Sequence, residues 1–213
     1  MPNMAISRFQ KLSNNLSQLP LPFQISDDYR EEVFLLLPEN SSAFGYLEKF
    51  FSQKNFASAQ FSSLILKGEK ACGKTHLLNI FAHKSNAQFL DITKNPSEIF
   101  CENKFYILED IEKITDEEWL LRMINFAAEA KSFLIFSVGE NPKFRLKDLN
   151  SRLKNIFIAE IKNPDFESIK QLLANFLSRR QINLVAKDIN FIAKNIDRTY
   201  EAILSAVKKY EMQ

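Results

Sequence analysis

Through the middle of the chain, short apolar runs alternate with segments of helical spacing, and after residue 163 the runs stop. Ser63–Lys67, Gln88–Ile92, Phe105–Glu109, Phe133–Val138 and Phe157–Ile161 are runs of strand length rich in β-branched and aromatic residues. Between them, Thr75–His83, Asp116–Ala130 and Leu146–Leu153 repeat their apolar positions at helical spacing. Strands alternating with helices predict an α/β fold, a parallel sheet flanked by helices. Upstream, Asn40-Ser41-Ser42 supplies capping side chains for a helix running to about Gln53, with Phe44, Leu47 and Phe51 on one face.

Beyond Asn163-Pro164 the pattern is helical throughout. Ile169, Leu172, Leu173, Phe176 and Leu177 form one stripe. Ile189, Ile192 and Ile196 form a second, and Ile203, Leu204 and Val207 a third. This predicts a three-helix unit of about fifty residues, small enough to need the sheet to pack against. At the other end, Leu19-Pro20-Leu21-Pro22 breaks any helix, and residues 1–40 read as an extension. The expected division is therefore 1–40 extension, 41–163 α/β domain and 164–213 helical unit.

Composition narrows the class. The 213 residues are 46% hydrophobic and 25% charged, as in globular domains, and no apolar run approaches the length of a membrane span. The N-terminus carries no secretory pattern. The two cysteines, Cys72 and Cys101, fit neither a metal-ligand spacing nor a disulfide framework, so a cytoplasmic setting is expected. A net charge of +2 is too small to argue for nucleic-acid binding.

Glycine is scarce, with four in the chain, and two of them fall in Gly68-Glu69-Lys70-Ala71-Cys72-Gly73-Lys74-Thr75. That stretch fits Gly-x-x-x-x-Gly-Lys-Thr between a predicted strand and a predicted helix, the context a phosphate-binding loop requires. Its N–H groups and the helix N-terminus suit phosphate oxygens. Lys74 is positioned to reach the β/γ-phosphates, and Thr75 to give its hydroxyl to Mg²⁺. Such a loop needs an acid at the end of a neighbouring buried strand. Phe105-Tyr106-Ile107-Leu108-Glu109-Asp110 ends in two. Glu109 is the expected metal acid, and Asp110 the group that orients the attacking water. The usual order has Asp first, so the metal acid here is one methylene longer.

Gly73-Lys74-Thr75-His76-Leu77-Leu78 resembles the loop of DnaA-related AAA+ proteins, and of the Hda family in particular. Ile107-Leu108-Glu109-Asp110-Ile111-Glu112 is similar to that group's acidic strand end. Ser151-Arg152-Leu153 is similar to the segment carrying its arginine finger, and Asp197-Arg198-Thr199-Tyr200-Glu201 lies where its lid helix begins. The resemblance implies an AAA+ fold with a C-terminal three-helix lid. It implies ADP or ATP with Mg²⁺, held by Gly68, Gly73, Lys74, Thr75 and His76, with Thr75 and Glu109 on the metal. It makes Arg152 and Asp110 the catalytic candidates.

The N-terminal Gln18-Leu19-Pro20-Leu21-Pro22-Phe23 resembles the sliding-clamp peptide that opens Hda proteins, with Gln18, Leu19, Leu21, Pro22 and Phe23 as its binding residues. Taken by itself the segment fits such a peptide or a proline-stiffened linker whose leucines pack on their own domain equally well. No DNA-reading domain is expected beyond the lid. The implied role is a regulatory adaptor: it binds the DNA polymerase III sliding clamp and promotes ATP hydrolysis by DnaA, with room for a homo-oligomer. Three departures from the pattern weigh against vigorous hydrolysis in its own site: Ala71 for a loop glycine, Gly139 near the first sensor, and Glu201 where a sensor arginine is usual. The alternatives are a self-contained ATPase of the helicase-loader kind and a clamp-binding module with a degenerate nucleotide site.

Overall fold

The computed structural model describes residues 29–93, 95, 99–139 and 142–211. The Gln18–Phe23 peptide lies outside them. Helix α1 spans Pro38–Phe51, then β1 Ser63–Gly68, α2 Lys74–Ser85, β2 Gln88–Phe89, β3 Phe105–Leu108, α3 Glu117–Glu129, β4 Phe133–Val138, α4 Lys147–Lys154 and β5 Phe157–Ile161. Three further helices follow: α5 Phe166–Arg179, α6 Ala186–Asn195 and α7 Tyr200–Glu211.

The five strands form one parallel sheet in the order β2-β3-β4-β1-β5. In β1, Ile65 sits opposite Phe136 of β4 and Ile158 of β5. Alternation divides the strands between two cores. Leu64, Leu66, Phe105, Ile107, Phe133 and Ile135 face the core shared with α1, α2 and α5–α7. Ile65, Tyr106, Leu108, Leu134, Phe136 and Val138 face α3 and α4. Because the middle of the sheet is covered on both faces, β3 and β4 are buried at every position, and that is why they read as unbroken apolar runs.

The first helix begins earlier than its polar residues suggest. Pro38 occupies the first turn, where its fixed φ and missing N–H cost nothing. Asn40 is therefore inside the helix. Its side-chain oxygen accepts from the Leu37 N–H at 2.9 Å, and its amide donates to the Leu35 carbonyl at 3.0 Å. Strand β2 is two residues long and exposed, shorter than the Gln88–Ile92 run. Strand β3 stops at Leu108, and Asp110 adopts a left-handed conformation at φ 50°.

Asp116 caps α3 by accepting from Trp119 N–H at 2.8 Å, and Asp165 caps α5 by accepting from Ser168 N–H at 2.8 Å. Ile169, Leu172, Leu173 and Leu177 of α5 and Ile203 and Val207 of α7 belong to the sheet's own core. Glu39 of α1 ties the same helices down, accepting from the Asp165 N–H at 2.9 Å and from the Ser168 hydroxyl at 2.8 Å. Among the described residues no helix is long and apolar enough to cross a membrane.

Candidate nucleotide site

The phosphate-loop sequence sits between β1 and α2. Gly68 is needed for close approach: a Cβ there would lie 2.6 Å from Cys72 Sγ and 3.2 Å from Ile161. Gly73 turns at φ +96°, a conformation glycine adopts freely. Ala71 adopts φ 66° without being glycine. The buried Lys74 ammonium lies across the loop, donating to the Gly68 carbonyl at 2.8 Å and to the Glu69 carbonyl at 2.9 Å. Cys72 packs beneath, and burial pushes its thiol pKa up.

At the end of β3 the two acids part company. Glu109 Oε1 accepts from the Thr75 hydroxyl at 2.6 Å. Asp110 turns away. Its N–H donates to the Ser137 hydroxyl on β4 at 2.9 Å, and its carboxylate pairs with Lys113 at 2.5 Å. His76 points to the opposite flank. Its Nε2 lies 3.1 Å from the Arg30 carbonyl, and its ring meets Tyr29 and Phe34 edge-on.

An open cleft of about 410 Å³ lies beside the loop, lined by Glu69, Lys70, Glu112, Gly139, Thr199 and Glu201. The Gly139 N–H donates to Glu112 Oε1 at 2.8 Å, and a Cβ at 139 would meet that same oxygen at 2.8 Å. Glu201, at the start of α7, pairs with Lys70 at 2.7 Å and so joins the lid to the loop. The spacing of the motif carries no signal for Lys70 or Glu112. Lys70 occupies an unspecified loop position, and its partner is 131 residues away.

Arg152 lies in the last turn of α4, exposed, and among the described residues its side chain makes no ion pair. Asp148, one turn earlier, does not hold it. The approach to α4 is fixed elsewhere. Glu117 of α3 accepts from the Arg145 N–H at 2.8 and 2.9 Å and from the Leu146 N–H at 2.7 Å. Those two backbone bonds hold the Glu117 carboxyl below its usual pKa.

A parallel sheet ordered β2-β3-β4-β1-β5, with the phosphate-loop sequence directly after β1 and three helices after β5, is an AAA+ fold. Within that class the chain has the fold of domain III of the replication initiator DnaA. It superposes on that domain from Thermotoga maritima with a TM-score of 0.66, at 18% identity, over 86% of this chain and 88% of that one. It superposes on AMPPCP-bound DnaA from Aquifex aeolicus with a TM-score of 0.63, at 15% identity, over 88% of this chain and 65% of that one.

Sequence similarity to DnaA is weak. The chain is 24% identical over 235 residues to the chromosomal replication initiator protein DnaA of Helicobacter hepaticus, covering 94% of this chain and 51% of that one. It is 25% identical over 214 residues to an uncharacterised Haemophilus influenzae protein, covering 89% of this chain and 88% of that one. The chain thus spans about half the length of the Helicobacter initiator. No protein-family model matches it.

Proposed function

We propose that the chain is a regulatory adaptor of the Hda type, which completes the ATP site of DnaA in trans. The observation that carries this reading is Arg152: an exposed guanidinium without an acidic partner among the described residues, on a fold like that of DnaA domain III. Inserted into a neighbouring site, it would stabilise charge on the transferring phosphoryl group, an effect worth roughly a thousandfold or more in rate. The Gln18–Phe23 peptide would tether the protein to the DNA-loaded sliding clamp and raise the local concentration of a weak docking event. Initiator left in the ADP form would not fire again.

Its own site would bind ADP or ATP. Lys74 would exchange its two loop carbonyls for phosphate oxygens. The Thr75 hydroxyl and Glu109 carboxylate, already in contact at 2.6 Å, are hard oxygen donors of the kind Mg²⁺ takes. Mg²⁺ bound there would neutralise phosphate charge. Gly139 at the strand end and Glu201 on α7 put no cationic or polar side-chain donor of their own beside the cleft, which argues against vigorous turnover there. The contact between Thr75 and Glu109 favours a second reading, in which the chain hydrolyses its own ATP.

The test is phosphate release by DnaA in the presence of clamp-loaded DNA, with the chain, its Arg152→Ala variant, or a Gln18→Ala/Phe23→Ala variant. Stimulation lost in the first variant and weakened in the second supports the adaptor. Full stimulation by Arg152→Ala removes the finger. Hydrolysis by the chain alone, lost in Lys74→Ala, moves the weight to the second reading.

A further inference from the structure

The small overall charge hides a local concentration of it. Lys143, Arg145, Lys147, Arg152 and Lys154 stand close together on α4 and its lead, against one acid, Asp148. That stretch carries a net +4 and the whole chain +2, so the rest of the chain sums to −2. All five cations are exposed, and among the described residues none is in an ion pair. The Arg145 charge lies near the Glu117 carboxylate, which leaves the three lysines as the freer cations. Cations in the last turn of a helix are favoured by its dipole, which accounts for Arg152 and Lys154. Lys147 opens the helix, where the dipole opposes a positive charge, so helix stability does not explain it.

The strip is held rigidly. Asn150 Nδ2 donates to the Phe144 carbonyl at 2.8 Å and to the Leu146 carbonyl at 2.9 Å. With the Glu117 bonds to the Arg145 and Leu146 N–H groups, the lead into α4 is fixed from both sides. At about 100° per residue, Lys147, Ser151 and Lys154 share one outward face, opposite the buried Leu149 and Leu153. Arg152 is turned about 100° from Ser151, toward the flank of that face. The two lysines are separated by a rise of about 10 Å along the helix.

We propose that this face of α4, with Lys143 on its lead, docks on the phosphate backbone of duplex DNA without reading its sequence. A duplex presents a negative charge about every 1.7 Å along its axis, and cations alone suffice to hold it. Bases of a single strand need an exposed ring to stack on. The aromatic residue of this stretch, Phe144, is instead half-buried against the core under α3 and α4. A protein partner needs a large anchor at the centre of the interface. Here Leu146 is half-buried and Leu149 and Leu153 are buried, so the outward face offers cations and Ser151. Three lysines make a weak site, but a protein held beside DNA by a clamp tether acts at high effective concentration. The docking face itself does not depend on the role of Arg152.

The experiment is fluorescence anisotropy of a labelled mixed-sequence duplex of about 20 base pairs, titrated with the whole chain at about 50–200 mM salt. The parent is expected to bind saturably, with a log–log salt slope of about −2.7, the value for three phosphates. Lys147→Gln/Lys154→Gln should make that slope shallower by about 1.8 and weaken binding about tenfold or more at the lowest salt. Lys208→Gln/Lys209→Gln removes the same charge from the exposed end of α7 and should keep the parent's slope. Equal weakening in the two double variants overturns the assignment to α4, because net charge alone would then set the affinity. Tighter binding to one of the separated strands than to the duplex overturns the choice of duplex. No saturable binding by the parent at the lowest salt overturns the proposal and leaves an acidic protein surface as the partner of the strip.

Discussion

Thr75 and Glu109 stand 34 residues apart in the chain, yet the threonine hydroxyl donates to the glutamate carboxylate at 2.6 Å. The contact joins the first turn of α2 to the end of β3, across the top of β4. It shows how the longer acid is accommodated. Glutamate in place of the usual aspartate reaches the hydroxyl directly, and the shorter Asp110 is left to pair with Lys113.

If Thr75 and Glu109 hold Mg²⁺, removing the carboxylate charge should separate metal from nucleotide. Glu109→Gln is expected to leave metal-free ADP binding close to the parent's. The gain in affinity on adding Mg²⁺ should fall by about tenfold or more. Calorimetric titration with ADP, with and without Mg²⁺, measures both. An unchanged Mg²⁺ gain would take Glu109 off the metal.

The bridge between Lys70 and Glu201 links loop to lid, but both side chains are largely exposed, at 82% and 58% of their side-chain area. Exposed pairs of this kind contribute about 0.2–1 kcal/mol. Glu201→Gln should therefore barely move the urea midpoint. Its effect on ligand should be larger, because a carboxylate beside phosphate is repulsive. Glu201→Arg is expected to tighten ATP binding several-fold, with the gain shrinking as salt rises. Weaker binding in Glu201→Arg would mean that the carboxylate does not face the phosphates.

The sheet was the most legible part of the chain. Strand β4 is buried at every position, so Phe133–Val138 ends where its run ends, and the edge strand Phe157–Ile161 keeps its expected bounds although only Ala159 and Ile161 of it are buried. The phosphate loop is contiguous, and its glycines have local reasons to exist. What could not be read is what depends on distant partners. The start of α1 moved because Pro38, not Asn40, opens the helix. Gln88–Ile92 shrank because an exposed edge strand gains little from its apolar residues. Lys70 meets Glu201 through the placement of the lid alone.

Phe50 joins the aromatic cluster beneath the sheet. It is fully buried, and its ring contacts Phe51, Phe61, Phe105 and Phe133 at centroid distances of 5.3–6.0 Å. Phe50→Ala leaves a cavity that four rings cannot close together. A loss of about 3–5 kcal/mol is expected, read as a lower urea midpoint at an unchanged slope. Phe50→Leu should recover a good part of it. A loss below about 1 kcal/mol in the alanine variant would mean the cluster repacks.

Glu117 sets a pH dependence on the segment leading to Arg152. Its carboxylate accepts from the Arg145 and Leu146 N–H groups, and those bonds depress its pKa below the ordinary value of 4.5. A group whose folded pKa is depressed stabilises the fold fully above its unfolded pKa. That contribution fades as pH falls through the lower folded value. Between neutral pH and about 5 the segment should stay anchored, and further acidification should release it. Glu117→Gln keeps an acceptor without the charge, so it should weaken the anchor at neutral pH and flatten the acid dependence. Amide hydrogen exchange at Arg145 and Leu146 reads this locally. Protection in the parent should fall on acidification after correction for intrinsic exchange, and in the variant it should start low and stay level. Equal protection of these two N–H groups in the parent and in Glu117→Gln at neutral pH would show that they do not depend on the Glu117 charge.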